Sequence, residues 1–120
     1  MGVFDVPLGV AGSPNDDPVV VSATVDTGAI HSVIPASLLA QLGVQPADRF
    51  LYGLADGSEV EYDYGMACLT LQGFPSFYCP VIFGTENQFL VGATTLEIFN
   101  LMVDPVDGAL IRRVPRARPF

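Results

Sequence analysis

Short runs of β-branched and other apolar residues, separated by glycine, proline and Asp-Gly pairs, are the feature that most constrains the fold of this chain. This spacing is typical of strands joined by tight turns. The clearest run covers residues 19–25 and reads VVVSATV, which is dominated by β-branched side chains. The pattern predicts an all-β fold with one or two short helices.

The predicted elements follow from the positions of turn residues. Predicted strands cover residues 1–10, as an edge strand, and residues 19–25, 32–34, 50–54, 59–64, 66–72, 77–83, 89–91, 101–103 and 110–111. Asp56-Gly57 predicts a tight hairpin between two of these strands. Pro35 and Gly43 bracket a helix over residues 36–42, and a second helix over residues 93–99 has Thr94 or Thr95 available as a cap.

Length and charge limit the organisation and the partners. The 120 residues are enough for a single domain, predicted over 1–120, and the net charge is −8. Four of the five arginines lie in a basic tail at about 112–120, so the acidic remainder does not favour nucleic acid. No apolar run has the length of a membrane-spanning helix, and the first ten residues lack a secretory signal pattern. We therefore expect a cytoplasmic protein that binds neither membrane nor nucleic acid.

Two cysteines, Cys68 and Cys79, flank the turn at residues 73–76. They are too few for a zinc site, and no metal is expected. The two thiols could face each other across a hairpin, but two buried, reduced thiols are the favoured interpretation.

The residues that carry chemistry follow the strand at 19–25. There Asp26 precedes Thr27, Gly28 and Ala29, which places an acid at the mouth of a strand beside a hydroxyl residue and a glycine. Two such carboxylates held close together share a proton, so that one acts as base toward water and the other as acid. Thr27 can hold the loop by hydrogen bonding, and Gly28 permits a close backbone approach. Alone, the tripeptide is more often a simple loop.

Three segments in order make a more specific pattern over about residues 19–104. They read VSATVDTGAIHSVIP, LADGSEVEY and FLVGATTLEIFNLMVDP. Together they resemble the retropepsin-like aspartic proteases, with the closest likeness to the bacterial single-domain type. The resemblance implies a closed β-barrel that forms half of an acid protease and is active as a homodimer. It also implies that residues 54–58 form the flap, the hairpin that covers substrate.

The resemblance assigns roles to individual residues. Asp26 is the expected catalytic residue, and Thr27, Gly28, Ala29 and Gly92 are expected to support its loop. The expected substrate pocket and flap comprise Ile30, Val33, Tyr52, Leu54, Ala55, Asp56, Gly57, Ser58 and Val91. Because the chain holds one Asp-Thr-Gly, the second carboxylate must come from Asp26 of an identical chain. The expected function is therefore hydrolysis of a peptide or protein substrate by a homodimer, without metal or cofactor.

Some positions depart from the viral pattern. Viral enzymes brace the site with an acid and an arginine where this chain has Ile30 and Ala93. His31 is expected to be structural or part of the pocket wall, and Tyr52 and Tyr62 either pack in the sheet or close over substrate. Residues 116–120 are expected to lie outside any terminal sheet. Two other functions remain open: a non-catalytic dimerisation or peptide-binding module, and a domain in which Asp26 is a structural acid.

Overall fold

The computed structural model describes residues 4–114, and strands dominate this part of the chain. The elements in chain order are β1 (Phe4–Ala11), β2 (Val19–Val25), β3 (Ser32–Pro35), α1 (Ala36–Gln41), β4 (Asp48–Gly53), β5 (Glu59–Leu71), β6 (Phe77–Gly84), β7 (Leu90–Val91), α2 (Ala93–Phe99), β8 (Leu101–Asp104) and β9 (Ala109–Arg112). The predicted mainly β fold with two short helices is confirmed.

Seven strands form one sheet in the order β1-β2-β7-β3-β6-β5-β4, and β1 also pairs with β5. Strands β8 and β9 form a separate antiparallel pair. Two pairings are parallel, β2 with β7 and β3 with β6. The short strand β7 therefore lies between β2 and β3, and it brings the end of β2 beside the segment that leads into α2.

The first strand is not an edge strand along its whole length. Residues 8–10 pair with β5 as well as β2, Ala11 pairs with β5, and residues 4–7 pair with β2 alone among the described residues. Leu8 and Val10 are fully buried, and this burial favours an interior position for the second half of the strand. Pro7 lies in the half of β1 that pairs with β2 alone. Proline has no backbone N–H, and at this position no hydrogen bond to a second neighbouring strand is lost.

Strand β5 is a single strand of 13 residues, although two strands separated at Gly65 were predicted. A Cβ at Gly65 would lie 2.5 Å from the carbonyl oxygen of Gln45. The glycine therefore serves a close approach of two backbone segments and does not interrupt the strand.

The core collects the inward faces of both helices and the sheet. In α1 Leu39 is fully buried and Leu38 and Leu42 are partly buried against the core, as the helical spacing predicts. In α2 Leu96 and Phe99 are buried, which confirms the predicted helix over residues 93–99. Its N-cap is Gly92, without a side-chain cap, so the predicted threonine cap is wrong.

Both cysteines are buried as free thiols, which agrees with the favoured interpretation. The β5–β6 register sets Cys68 opposite Tyr78 and Cys79 opposite Ala67, so the thiols are not a cross-strand pair. Burial raises the pKa of the Cys79 thiol to about 12. Within residues 4–114 no helix has the length and apolar character needed to cross a membrane. The prediction for residues 116–120 lies outside the described residues.

Candidate active site

Asp26 directly follows β2, and backbone hydrogen bonds fix its position. Its N–H donates to the carbonyl oxygen of Val91 at 3.0 Å, which continues the hydrogen bonding between β2 and β7 by one residue. The N–H of Ala29 donates to the Asp26 carbonyl at 3.1 Å, so the chain turns back at once. The Asp26 side chain is partly exposed at this turn. The Asp26 carboxylate therefore lies directly after the carboxyl end of β2.

The turn also orients the Asp26 carboxylate. The Gly28 N–H donates to Asp26 Oδ1 at 2.9 Å. A Cβ at Gly28 would lie 3.2 Å from the same oxygen, closer than most side chains tolerate. This agrees with the expected need for glycine at a close approach. A hydrogen-bonded, partly exposed carboxylate can act as a base toward water or accept a proton.

The loop after Asp26 is joined to the first turn of α2. The N–H of Ala93 donates to the Ala29 carbonyl at 2.8 Å, and the N–H of Thr94 donates to the Ile30 carbonyl at 2.9 Å. These donors have no partner within the helix, so the loop satisfies them. The resemblance to viral enzymes sets residues 30 and 93 at the positions where those enzymes carry a charged pair. Here the same two segments are joined by neutral backbone hydrogen bonds.

Gly92 packs directly on the backbone of the loop. A Cβ at this position would lie 2.5 Å from both the carbonyl carbon and the carbonyl oxygen of His31. The Gly92 φ is −97°, which any residue can adopt. A glycine is therefore needed here because a Cβ would clash with the His31 backbone, and not because of the backbone conformation. This close packing agrees with the prediction that Gly92 supports the loop.

Two buried hydroxyls complete this support, and sequence reasoning missed them. The Gly92 N–H donates to Ser32 Oγ at 3.1 Å, and Ser32 Oγ lies 2.5 Å from Thr95 Oγ1. Both side chains are fully buried. The available signal was polar residues at inward positions of β3 and α2, where an apolar residue is the usual choice. Together these three residues, called here the inner brace, hold the loop against α2.

A groove of about 330 Å³ lies beside the loop. Its walls are Gly28, Ala29, Ile30, His31, Val33, Tyr52, Gly53, Leu54, Tyr62, Ile82, Gly84 and Gln88. The structure therefore brings together the predicted pocket residues Ile30, Val33, Tyr52 and Leu54, although they come from distant segments. Tyr62, which was expected either to pack in the sheet or to close over substrate, also lines the groove.

Other predicted residues lie elsewhere. Val91 is fully buried in the core, so its predicted place in the pocket wall is wrong, and it contributes a main-chain acceptor to Asp26. Ala55, Asp56, Gly57 and Ser58 are exposed in the hairpin beyond the groove. Ile82, Gly84 and Gln88 were missed, because only the parallel pairing of β3 with β6 brings that part of the chain to the groove.

His31 and Tyr52 meet across the groove. The Nδ1 atom of His31 forms a hydrogen bond with the Tyr52 hydroxyl, and the His31 ring packs edge-on against Phe50, with centroids 4.6 Å apart. Burial lowers the pKa of His31. Burial, with a smaller contribution from Tyr62, raises the pKa of Tyr52. The neutral forms of both side chains are therefore favoured.

The hairpin at residues 54–58 is held mainly by its own hydrogen bonds. The Leu54 N–H donates to the Ser58 carbonyl at 2.7 Å, and the Asp56 carboxylate accepts from the Ser58 N–H at 2.9 Å and from its hydroxyl at 2.5 Å. These bonds lower the pKa of Asp56. Gly57 has a φ of +87°, as predicted for the Asp-Gly turn.

Metal ligands are not grouped in the described part of the chain. Among residues 4–114 no three His, Cys, Asp or Glu side chains lie close enough to hold a metal ion.

These features define a retroviral protease-like fold. The structure is similar to the crystal structure of the retroviral protease-like domain of Ddi1 from Leishmania major, with a TM-score of 0.59. The match has 21% sequence identity and covers 93% of this chain and 89% of that chain. At this identity the likeness shows the fold alone. No protein-family model matches the sequence, and no curated protein matches it.

Proposed function

We propose that the chain is an aspartic endopeptidase whose active form is a homodimer with one Asp26 from each subunit. The observation that supports this most directly is the Asp26 carboxylate at the end of β2, which accepts a hydrogen bond from Gly28, a residue that lines the groove. The retroviral protease-like fold gives independent support. The additional β1–β5 pairing supports the closed-barrel description of this fold.

The proposed reaction needs two carboxyl groups that share one proton. One Asp26 carboxylate removes a proton from water as the oxygen attacks the peptide carbonyl carbon, and the partner's Asp26, protonated, gives its proton to the carbonyl oxygen. The tetrahedral intermediate then collapses, the C–N bond breaks, and the leaving nitrogen takes a proton from the carboxyl that received it from water. As the carboxylic acid product forms, one hydroxyl of the intermediate returns its proton to the partner's Asp26, which restores the starting state. Atoms and charge balance without a cofactor. Cleavage is expected to be faster below neutral pH, where one carboxyl is protonated and the other ionised.

The groove indicates the class of substrate. Ile30, Val33, Leu54 and Ile82 give it an apolar lining, and Ile30 is 57% exposed in the single chain. Apolar side chains of an extended peptide gain free energy by burial in such a lining. We therefore propose an extended peptide or protein segment with apolar side chains near the scissile bond as substrate.

The test is a peptide-library digest that compares the wild-type chain with Asp26→Asn. The variant should remain folded, because amide and carboxylate have the same shape and the Gly28 N–H keeps an oxygen acceptor. Its cleavage should fall by at least about a thousandfold, since the dyad loses its base. Cleavage by both proteins at the same rate would refute an aspartic mechanism.

A subunit-mixing experiment tests the shared dyad. Wild-type chain at fixed concentration is mixed with an excess of Asp26→Asn under exchange conditions, and bovine albumin replaces the variant in the control. Heterodimers hold one aspartate, so activity should fall in proportion to their formation. Unchanged activity would show that each chain works alone. Wild-type chain that self-associates and binds peptides without cleaving them would instead identify a non-catalytic module.

A further inference from the structure

Two parts of the groove lining, called here its two halves, come from segments that are far apart in sequence. The rest of the lining is Val33, Tyr62, Ile82, Gly84 and Gln88. One half is the loop at residues 28–31, which carries the supports described above. The other half is Tyr52, Gly53 and Leu54, where β4 runs into the hairpin. Strands β3 and β4 are not neighbours in the sheet, so ladder hydrogen bonds between those strands do not join the two halves.

We propose that the hydrogen bond between His31 and Tyr52 couples the hairpin at residues 54–58 to the catalytic loop, so that both residues act as positioning residues for the groove. This inference deepens the proposed function and, for its kinetic consequences, rests on it. The contact between the two side chains stands without it.

The His31 side of this link is anchored. Its backbone lies against Gly92, with no room for a Cβ between them, and the next residue, Ser32, is fixed by the inner brace. The His31 ring therefore leaves the loop from a backbone held on its inner side. The imidazole is then in position to accept a hydrogen bond across the groove.

The Tyr52 side lies one residue before the end of β4, where Gly53 still pairs with Glu59 and the hairpin begins. Tyr52 precedes Gly53, whose surroundings are open, and residues 54–58 beyond it are exposed. The Tyr52 ring also packs against Phe50 and Tyr62, with centroids 4.9 and 5.7 Å away. Ring packing fixes the plane of the side chain, and the hydroxyl fixes its distance from the loop.

The protonation states fit a directed bond. Because burial favours neutral His31 and the phenol form of Tyr52, the Tyr52 O–H can donate to Nδ1 while Nε2 carries the imidazole proton. Neither partner needs to ionise to keep the contact. A neutral hydrogen bond in a half-buried site shifts an equilibrium by about fivefold. The His31–Tyr52 bond would therefore favour the hairpin held at the loop over the displaced hairpin by about this factor.

The decisive variant is Tyr52→Phe, which removes one oxygen and keeps the ring. Hydrogen exchange of a peptide spanning residues 53–60 should become about fivefold faster than in the wild-type chain. Tyr64→Phe is the matched control. Tyr64 contacts Phe50 edge-on, does not line the groove, and its hydroxyl has no hydrogen bond assigned within residues 4–114, so exchange should be unchanged.

Steady-state kinetics give a second test. A residue with a merely structural role would not raise KM while leaving kcat nearly unchanged. In Tyr52→Phe the KM for a cleaved peptide should rise about fivefold with kcat within about twofold, because the hairpin must be ordered during binding. In the His31→Phe background, Tyr52→Phe should have no further effect, since its partner is already lost.

The outcomes separate this inference from the proposed function. Equal exchange in Tyr52→Phe and Tyr64→Phe, or additive effects of the His31 and Tyr52 variants, would overturn the coupling even in an active protease. Faster exchange in Tyr52→Phe that is abolished in the His31→Phe background would establish the coupling even if the wild-type chain cleaves no peptide.

Discussion

The loop that follows Asp26 and the hairpin at residues 54–58 both border the groove, but they are held in different ways. The loop at residues 26–31 is bonded to β7 and to the first turn of α2, and it leads directly into Ser32 of the inner brace. The hairpin at residues 54–58 is exposed throughout and bonded mainly within itself. Buried polar contacts are costly to lose, whereas exposed ones exchange with water at little cost. The fold therefore fixes the position of the Asp26 loop more firmly than that of the hairpin.

The loop is also supported without charge. Ile30 and Ala93 stand where viral enzymes have an ion pair, and the nearby contacts use backbone groups and hydroxyls. Neutral groups of this kind do not titrate in the range where a carboxylate dyad works. The absence of both partners of the ion pair leaves no unpaired buried charge, which agrees with an intact fold.

The largest expected effect comes from Gly92→Ala. The added Cβ would meet the His31 backbone at 2.5 Å, so either the loop or α2 must shift, at a cost of about 3 kcal/mol in the free energy of unfolding. Gly53→Ala is the matched control in the hairpin half, because a Cβ there meets nothing within 4 Å. It should change stability by less than about 0.5 kcal/mol. Urea denaturation measures both, and equal effects would remove the distinction between the two regions.

A smaller effect is expected from the inner brace. Ser32→Ala leaves the Gly92 N–H and the Thr95 hydroxyl without their buried partner and should cost about 2 kcal/mol. Thr95→Val should cost about 1 kcal/mol, because Ser32 still accepts from Gly92. The double variant should lose less than the sum of the two, since both changes remove the same bond. Strict additivity in urea denaturation would contradict a connected network.

The sequence predicts the loop better than its supports. Strand β2 and the turn at residues 26–29 are readable because β-branched residues run directly into Asp-Thr-Gly. The bracing hydroxyls are not readable, because Ser32 and Thr95 lie 63 positions apart and meet through tertiary structure, where β3 pairs with β7 directly before α2. Isolated polar residues give no local signal of the partner that makes their burial acceptable.

The same reasoning explains the other differences. Apolar residues near a motif were all candidates for the pocket wall, yet Val91 faces the core because β7 lies inside the sheet. Local patterns identify strands but do not determine strand order, and strand order decides which face of each strand borders the groove. The hairpin was predictable because Asp-Gly determines a turn from two adjacent residues. Its link to His31 was not, since it depends on tertiary distance.

The smallest expected effect concerns acid and the hairpin alone. Hydrogen bonds from Ser58 lower the pKa of Asp56 below its usual value of 3.8, so the folded hairpin favours the ionised form. This contribution is present above that value and is lost as the pH falls through the pKa of the folded hairpin. As the pH falls below 3.8 and Asp56 takes up its proton, the amide resonance of Ser58 should therefore shift. Protection of residues 54–58, measured relative to the intrinsic exchange rate at each pH, should fall at the same time. The Gly92 amide, bonded to a hydroxyl that does not titrate, should keep its protection.

In Asp56→Asn the acid-dependent change at Ser58 should disappear. Loss of Gly92 protection at a higher pH than the change at Ser58 would reverse the proposed order of the two regions.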